Sequence, residues 1–108
     1  MPKELRGTEW EFVREGVGGV AAHAGSQFRN VRYVFDRRGS HQYHLDTQTI
    51  HLRMEIVYVS KIAENSWDLQ FEGQPETWRY TYDPMEKTLR VERRTDRGLI
   101  QWYLYRKR

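Results

Sequence analysis

Four histidines, His23, His41, His44 and His51, are the side chains here best suited to hold a metal or move a proton near neutral pH. If Leu45 pairs with Ile50, His44 and His51 lie opposite each other on one sheet face. Two cross-strand imidazoles can bind a transition metal, but a specific site needs a third ligand. Gln42 and Arg53, the next pair, supply none, so the expectation is a solvated pair and no metal. His41 falls on the apolar face instead. It reads as a core histidine with a satisfied hydrogen bond, with a polar contact to a ligand, or even an axial haem bond, as the sharper alternatives. No cofactor is expected.

Arg93 also falls on the apolar side, across from Trp78. A guanidinium over an indole is a favourable pair. Its ordinary role is a rim arginine with its head in water; its functional role would be to anchor a ligand carboxylate at one end of a cavity. The carboxylates of Glu9, Glu11, Glu55, Asp68, Glu72 and Glu92 all fall on outward positions. No inward acid pair serves acid–base work, and no serine sits in a nucleophile elbow. The balance leans away from an enzyme. The run Gly16–Ser26 contains four glycines, but it lacks the lysine and Ser/Thr of a phosphate loop. It reads as a flexible loop, with a short helical turn at 20–24 as an option, and as a lid over a cavity mouth.

These side chains need strands to position them. Residues 76–106 form a three-strand unit with period-two alternation. Trp78, Tyr80 and Tyr82 share a face. Leu89 and Val91 share another, and Ile100, Trp102 and Leu104 a third. Asp83-Pro84 opens one turn, and Thr95-Asp96-Arg97-Gly98 makes the next. Pairing Asp83 with Thr88 sets Tyr82 against Leu89, Tyr80 against Val91 and Trp78 against Arg93, with Arg79 meeting Glu92 outside. In the second hairpin, a glycine bulge would place Ile100 and Trp102 opposite Glu92. The hydrophobic pattern argues against that bulge and puts Tyr103 and Tyr105 outside.

The remaining chain repeats this pattern. Trp10 and Phe12 share a face in the first segment. Val31, Tyr33 and Phe35 alternate before the turn Asp36–Gly39, whose bulge pairs Phe35 with His41 and Tyr33 with Tyr43. Asp46–Thr49 turns the chain into Ile50, Leu52, Met54, Ile56 and Tyr58. Trp67, Leu69 and Phe71 follow. The expected strands lie near 9–14, 28–36, 40–46, 49–61, 66–72, 76–83, 88–94 and 99–106. Links of hairpin length make sequence neighbours into sheet neighbours. The expected fold is all-β: a single domain over 1–108, with eight antiparallel strands in an up-and-down barrel or a strongly curled half-open one.

Composition limits the function. With 108 residues the chain makes one domain. It has no cysteine, hence no disulfide, thiolate or cysteine zinc site. No apolar run is long enough to span a bilayer, and the start, MPKELRGTEW, lacks the apolar core of a secretory signal. A cytoplasmic protein is expected, although a secreted form with its signal removed would look the same. The net charge of +3 is mild for a nucleic-acid binder. Aromatic residues reach 14%, enough to build a β core or to line a pocket.

The chain resembles the small bacterial lipocalin-like domains of the calycin group. The likeness rests on Leu5-Arg6-Gly7-Thr8-Glu9-Trp10, on Val34-Phe35-Asp36-Arg37-Arg38-Gly39, and on Tyr80–Asp83 through Thr88–Val91 to Tyr103–Arg106. The family places one residue between glycine and tryptophan; here Thr8 and Glu9 both intervene. The resemblance implies an up-and-down barrel that binds a small apolar molecule, in a cavity smaller than that of secreted lipocalins. It also implies an arginine of the last strand, Arg106 or else Arg108, laid across Trp10.

The expected function is therefore non-catalytic binding of a small apolar or amphipathic ligand. Tyr33, Phe35, Tyr43, Met54, Tyr58, Trp67, Trp78, Tyr80, Tyr82 and Trp102 would line the cavity, with His41 and Arg93 as polar contacts. The competing expectation is an interaction module, a homodimer or partner-binding domain, whose rings fill the barrel. The third is weak nucleic-acid binding through an outer face bearing Arg79, Arg90, Arg94, Tyr103 and Tyr105, the least favoured of the partners.

Overall fold

A computed structural model describes residues 2–22, 32–35, 40–44, 50–94 and 97–108; positions 20–22, 32–33, 40–44 and 50–54 are described by backbone and register. The described chain is all-β. Nine strands follow one another: β1 (Glu9–Val17), β2 (Val20–Ala22), β3 (Arg32–Phe35), β4 (Ser40–His44), β5 (Ile50–Ala63), β6 (Ser66–Phe71), β7 (Thr77–Asp83), β8 (Thr88–Arg94) and β9 (Ile100–Lys107). They form one curled, barrel-like antiparallel sheet in the order β2-β1-β3-β4-β5-β6-β7-β8-β9, and β1 also pairs with β9. First and last strands are thus neighbours, from Trp10↔Lys107 to Val17↔Gln101. No helix among the described residues is long and apolar enough to cross a membrane.

Where turn chemistry and alternation agree, the expected registers are present. Asp83 pairs with Thr88, Tyr82 with Leu89, Tyr80 with Val91 and Arg79 with Glu92. The Asp83 carboxylate accepts the N–H groups of Met85 and Glu86, at 2.9 and 3.2 Å, and so holds the turn. Phe35 pairs with His41 and Tyr33 with Tyr43. The turns at 36–39 and 46–49, residues Thr95 and Asp96, and segment 23–31 with His23 and Val31 lie outside the described residues.

Four expectations are corrected. First, β9 takes the register with the extra residue. Gly98 adopts φ 78°, Glu92 pairs with Trp102, and Val91 and Leu89 pair with Tyr103 and Tyr105. Tyr105 is 5% exposed and joins the core, with Tyr103 packed against it. Trp102 is buried but lies outside the core cluster. Its ring is covered by Arg90 at 4.9 Å, and its indole N–H donates to the Gly18 carbonyl at 2.8 Å. That acceptor, at the β1–β2 turn, compensates the buried indole on the outer side.

Second, Tyr58 is 52% exposed. The register slips between Ile56 and Tyr58, so Val57 is an extra residue and Tyr58 pairs with Gln70. A bulge of this kind exchanges the faces beyond it. Third, Val20–Ala22 forms a strand, pairing with Glu15–Val17, where a loop or helical turn was expected. The turn at Gly18, φ 59°, is tied to β9 by the Gly18 N–H donating to the Ile100 carbonyl at 2.7 Å. Residues 23–26 of the expected lid lie outside the described residues. Fourth, Arg106 is engaged with Glu11, not laid across Trp10. It pairs with Glu11 at 2.9 Å, with 64% of its side chain exposed. Trp10 instead stacks edge-on against Tyr82 at 5.8 Å and donates its N–H to Thr8 Oγ1 at 2.8 Å.

The core is one cluster: Leu5, Trp10, Phe35, Trp67, Leu69, Phe71, Tyr80, Leu89, Val91 and Tyr105. Phe12, Ile56, Trp78, Tyr82 and Tyr103 pack against it. Edge-to-face contacts join Phe35 and Phe71 to Tyr80, at 5.8 and 6.2 Å. The segment before β1 turns back, with the Leu5 and Arg6 N–H groups donating to the Pro2 carbonyl and Thr8 to Leu5. This places Leu5, fully buried, in the core beside Trp10.

Candidate functional site

The end of the sheet opposite the Leu5–Trp10 segment differs in chemistry. β7 and β8 pair from Asp83↔Thr88 to Arg79↔Glu92, and there the ladder stops. β7 continues along β6, with Leu69↔Trp78 and Gln70↔Thr77. β8 continues along β9, with Arg93↔Gln101 and Arg94↔Ile100. Thr77-Trp78 and Arg93-Arg94 therefore part. The seam holds a cleft of about 180 Å³ lined by Asp68, Thr77, Arg79, Glu92, Arg93, Arg94 and Ile100.

Arg93 and Trp78 meet at this seam, as the register of the β7–β8 hairpin led one to expect. The guanidinium carbon lies 5.4 Å from the indole centroid. Arg93 Nε donates to Gln101 Oε1 at 2.7 Å, which fixes the guanidinium plane. The Trp78 ring also lies 6.3 Å from Tyr103, tilted by 30°. Its Nε1 is buried and, among the described residues, has no hydrogen-bond partner. An unsatisfied buried donor costs about 1–3 kcal/mol, so this N–H favours any acceptor brought within reach.

The acids at the seam are already occupied. Asp68 binds Arg79 at 3.1 Å, and Glu92 binds Arg90 at 2.9 Å. Arg79 was expected to pair with Glu92; it shares that register but reaches sideways to Asp68, one strand over. The Asp68 hydrogen bond, reinforced by its charge, pushes the Arg79 guanidinium pKa up. Among the described residues, Arg93 and Arg94 face no carboxylate within ion-pair distance, and the seam carries surplus positive charge.

Tyr103 borders this end, in register with Glu15. Burial pushes its phenol above the ordinary tyrosine value; Arg93 pulls it down and Glu15 pushes it up. Raising the folded-state value favours the neutral phenol. The resulting stabilisation is complete below about pH 10, the unfolded value, and is lost as pH rises through the higher folded value. Absorbance titration at 295 nm should therefore show a late phenol that disappears in Tyr103→Phe. Loss of a phenol titrating at the ordinary value would contradict this placement.

The other expected lining residues divide by position. Phe35, Trp67 and Tyr80 are in the core, and Tyr82 and Trp78 pack on it. His41 is paired to both Phe35 and Met54, and Tyr43 to Tyr33 and Leu52. Tyr58 and Trp102 are removed from the interior by the bulge and the β9 register. His44 pairs with Ile50 across a register slip, so His44 and His51 are not partners; Leu45 is outside the described residues. Among the described residues, no group of three His, Cys, Asp or Glu is placed to hold a metal. The outer basic face loses the stacking platform expected of it, because Tyr103 and Tyr105 belong to the inner side.

Comparison with known families, curated proteins and solved structures yields no match.

The core rings are packed on one another, with Trp67, Phe71 and Tyr80 at most 3% exposed. Beside them the seam carries a guanidinium with a fixed orientation and, under it, a buried indole N–H donor. Sequence reasoning missed the seam itself. The ladder's early end leaves no mark in the alternation of Thr77–Asp83 or Thr88–Arg94; the neighbouring basic pair Arg93-Arg94 was the nearest available signal.

Proposed function

We propose that this protein binds a small amphipathic ligand without catalysis, in a lipocalin-like eight-stranded up-and-down barrel. The observation that carries the reading is the Arg93–Trp78 pair, in which a guanidinium lies over a ring that packs on the aromatic core and keeps an orphaned indole N–H. The partly buried rings of Trp78, Tyr82 and Tyr103 would take the apolar part of the ligand, and Arg93 the polar end. Tryptophan emission titrated with dodecanoate should change saturably, and Trp78→Phe should remove much of the change. A flat or unsaturable response would sink the proposal.

A second reading has its own support. The described rings pack closely on one another, and β5 exposes Val57, Tyr58, Val59 and Ile62, at 59, 52, 37 and 42%. Such an exposed apolar strip suits a protein partner or second copy, with the interior filled by side chains. Under that reading no apolar probe would titrate saturably, and the strip would be shielded in a complex.

A further inference from the structure

We propose that the open edge of β5 pairs with the same edge of a second copy of this chain, antiparallel and across a two-fold axis, so that two sheets join into one. This goes beyond the ligand reading and rests on the second reading above, in which the exposed strip of β5 receives a protein. β5 runs over 14 residues, from Ile50 to Ala63. β4 pairs with it only from Ile50 to Glu55. Beyond Glu55 its pairing, among the described residues, is with β6 alone, from Ile56↔Phe71 to Ala63↔Ser66. One side of residues 56–63 thus presents backbone N–H and C=O groups that face no strand among the described residues. Such an edge is a template for another strand. The backbone therefore sets the kind of structure that covers this strip.

Side-chain chemistry points the same way. The segment reads Ile-Val-Tyr-Val-Ser-Lys-Ile-Ala, rich in the β-branched and aromatic residues that fill strands inside sheets. Tyr58 and Val59 point to opposite faces, and both are exposed. A neighbouring strand on the open side would cover both. A two-fold contact needs a surface that matches itself. Lys61 is the single charge of the segment. An axis at Val59 sets Lys61 of one copy against Val57 of the other, and an axis at Ser60 sets it against Val59. Neither register brings the two lysines face to face, so no like charges oppose each other across the strands. The register with β6 slips at Val57 and Ile62, and bulges of this kind blunt an edge. Tyr58, Val59, Ser60 and Lys61 remain as the regular run between them. An exposed strip on the order of a few hundred Å² per copy, even doubled, falls short of the ~1,200 Å² buried in a stable interface. The dimer is therefore weak and reversible, and it closes at two copies because the contact uses the edge of both.

Sedimentation velocity of the full chain, from micromolar to millimolar concentration, should show a reversible monomer–dimer equilibrium. Tyr58→Lys should weaken the dimer about tenfold or more; the position is exposed, so the variant folds. The chain has no cysteine, so single cysteines report contacts without background. Under mild oxidation the dimer should be trapped as a disulfide through Val59→Cys or Ser60→Cys, whichever lies on the axis. Trapping there should be several-fold faster than through Met85→Cys, which lies 90% exposed between β7 and β8. A monomer at every concentration overturns the self-pairing and leaves the strip to a different protein. A dimer that survives Tyr58→Lys, or that is trapped as readily through Met85→Cys, uses another surface and overturns it as well. Dodecanoate binding enters none of these outcomes, so the ligand reading stands or falls separately.

Discussion

Trp10→Ala should abolish cooperative folding or come close to it. The indole is fully buried, contacts Tyr82 edge-on and ties its N–H to Thr8. Truncating a buried tryptophan costs about 3–5 kcal/mol, against a total stability of about 5–15 kcal/mol for a small domain. Thr8 matters as well, because its hydroxyl links Trp10 to the Leu5 carbonyl. Arg106→Ala should cost only ~0–1 kcal/mol, since its ion pair with Glu11 is exposed. A double-mutant cycle of Trp10→Phe with Arg106→Ala should be additive to within about 0.5 kcal/mol. Strong coupling would return Arg106 to the indole face, where the resemblance places it and its pairing with Glu11 does not. Denaturant unfolding of the four proteins decides this.

Tyr80→Ala and Tyr58→Ala should differ by several kcal/mol. Period-two alternation treats the two residues alike, as inward aromatics on neighbouring parts of one wall. In the structure Tyr80 is 1% exposed and touches Phe35 and Phe71, whereas Tyr58 is 52% exposed. Removing a large buried ring costs about 3–5 kcal/mol, whereas an exposed substitution stays within about 0.5 kcal/mol. Equal losses at the two positions would mean that the bulge at Val57 is absent and that β5 keeps its plain alternation. Chemical unfolding, read by circular dichroism, measures both.

The contrast between these tyrosines shows what the sequence can reveal. The β7–β8 register was legible because Asp83-Pro84 marks a turn and because apolar and charged positions agree on a single pairing. The β3–β4 register was legible for the same reason, through Phe35 and His41. β9 was not, because Ile100, Trp102 and Leu104 on one side and Tyr103 and Tyr105 on the other are both plausible core sets. The decision fell to φ at Gly98 and to an acceptor for the Trp102 N–H at Gly18, which lies 84 residues away in sequence. The bulge at Val57 has no composition of its own, so the alternation ran straight through it. The β2 strand was hidden by glycine and alanine, which carry no strand signal.

The candidate site divides in the same way. The meeting of Arg93 with Trp78 follows from the hairpin register, which the sequence supports. The end of the ladder at Arg79–Glu92 and the lateral capture of Asp68 by Arg79 depend on how three strands twist past one another. No local pattern encodes that. The surplus charge at Arg93 and Arg94 becomes visible only once Asp68 and Glu92 are known to be taken.

The most direct measurement of the central claim is native mass spectrometry of the protein with increasing dodecanoate. Ligand binding predicts one adduct per chain, saturating at a ratio of one, on a species whose subunit number does not change. Bare protein at every concentration, above all as a dimer, would contradict it and would favour a side-chain-filled barrel acting through the exposed face of β5.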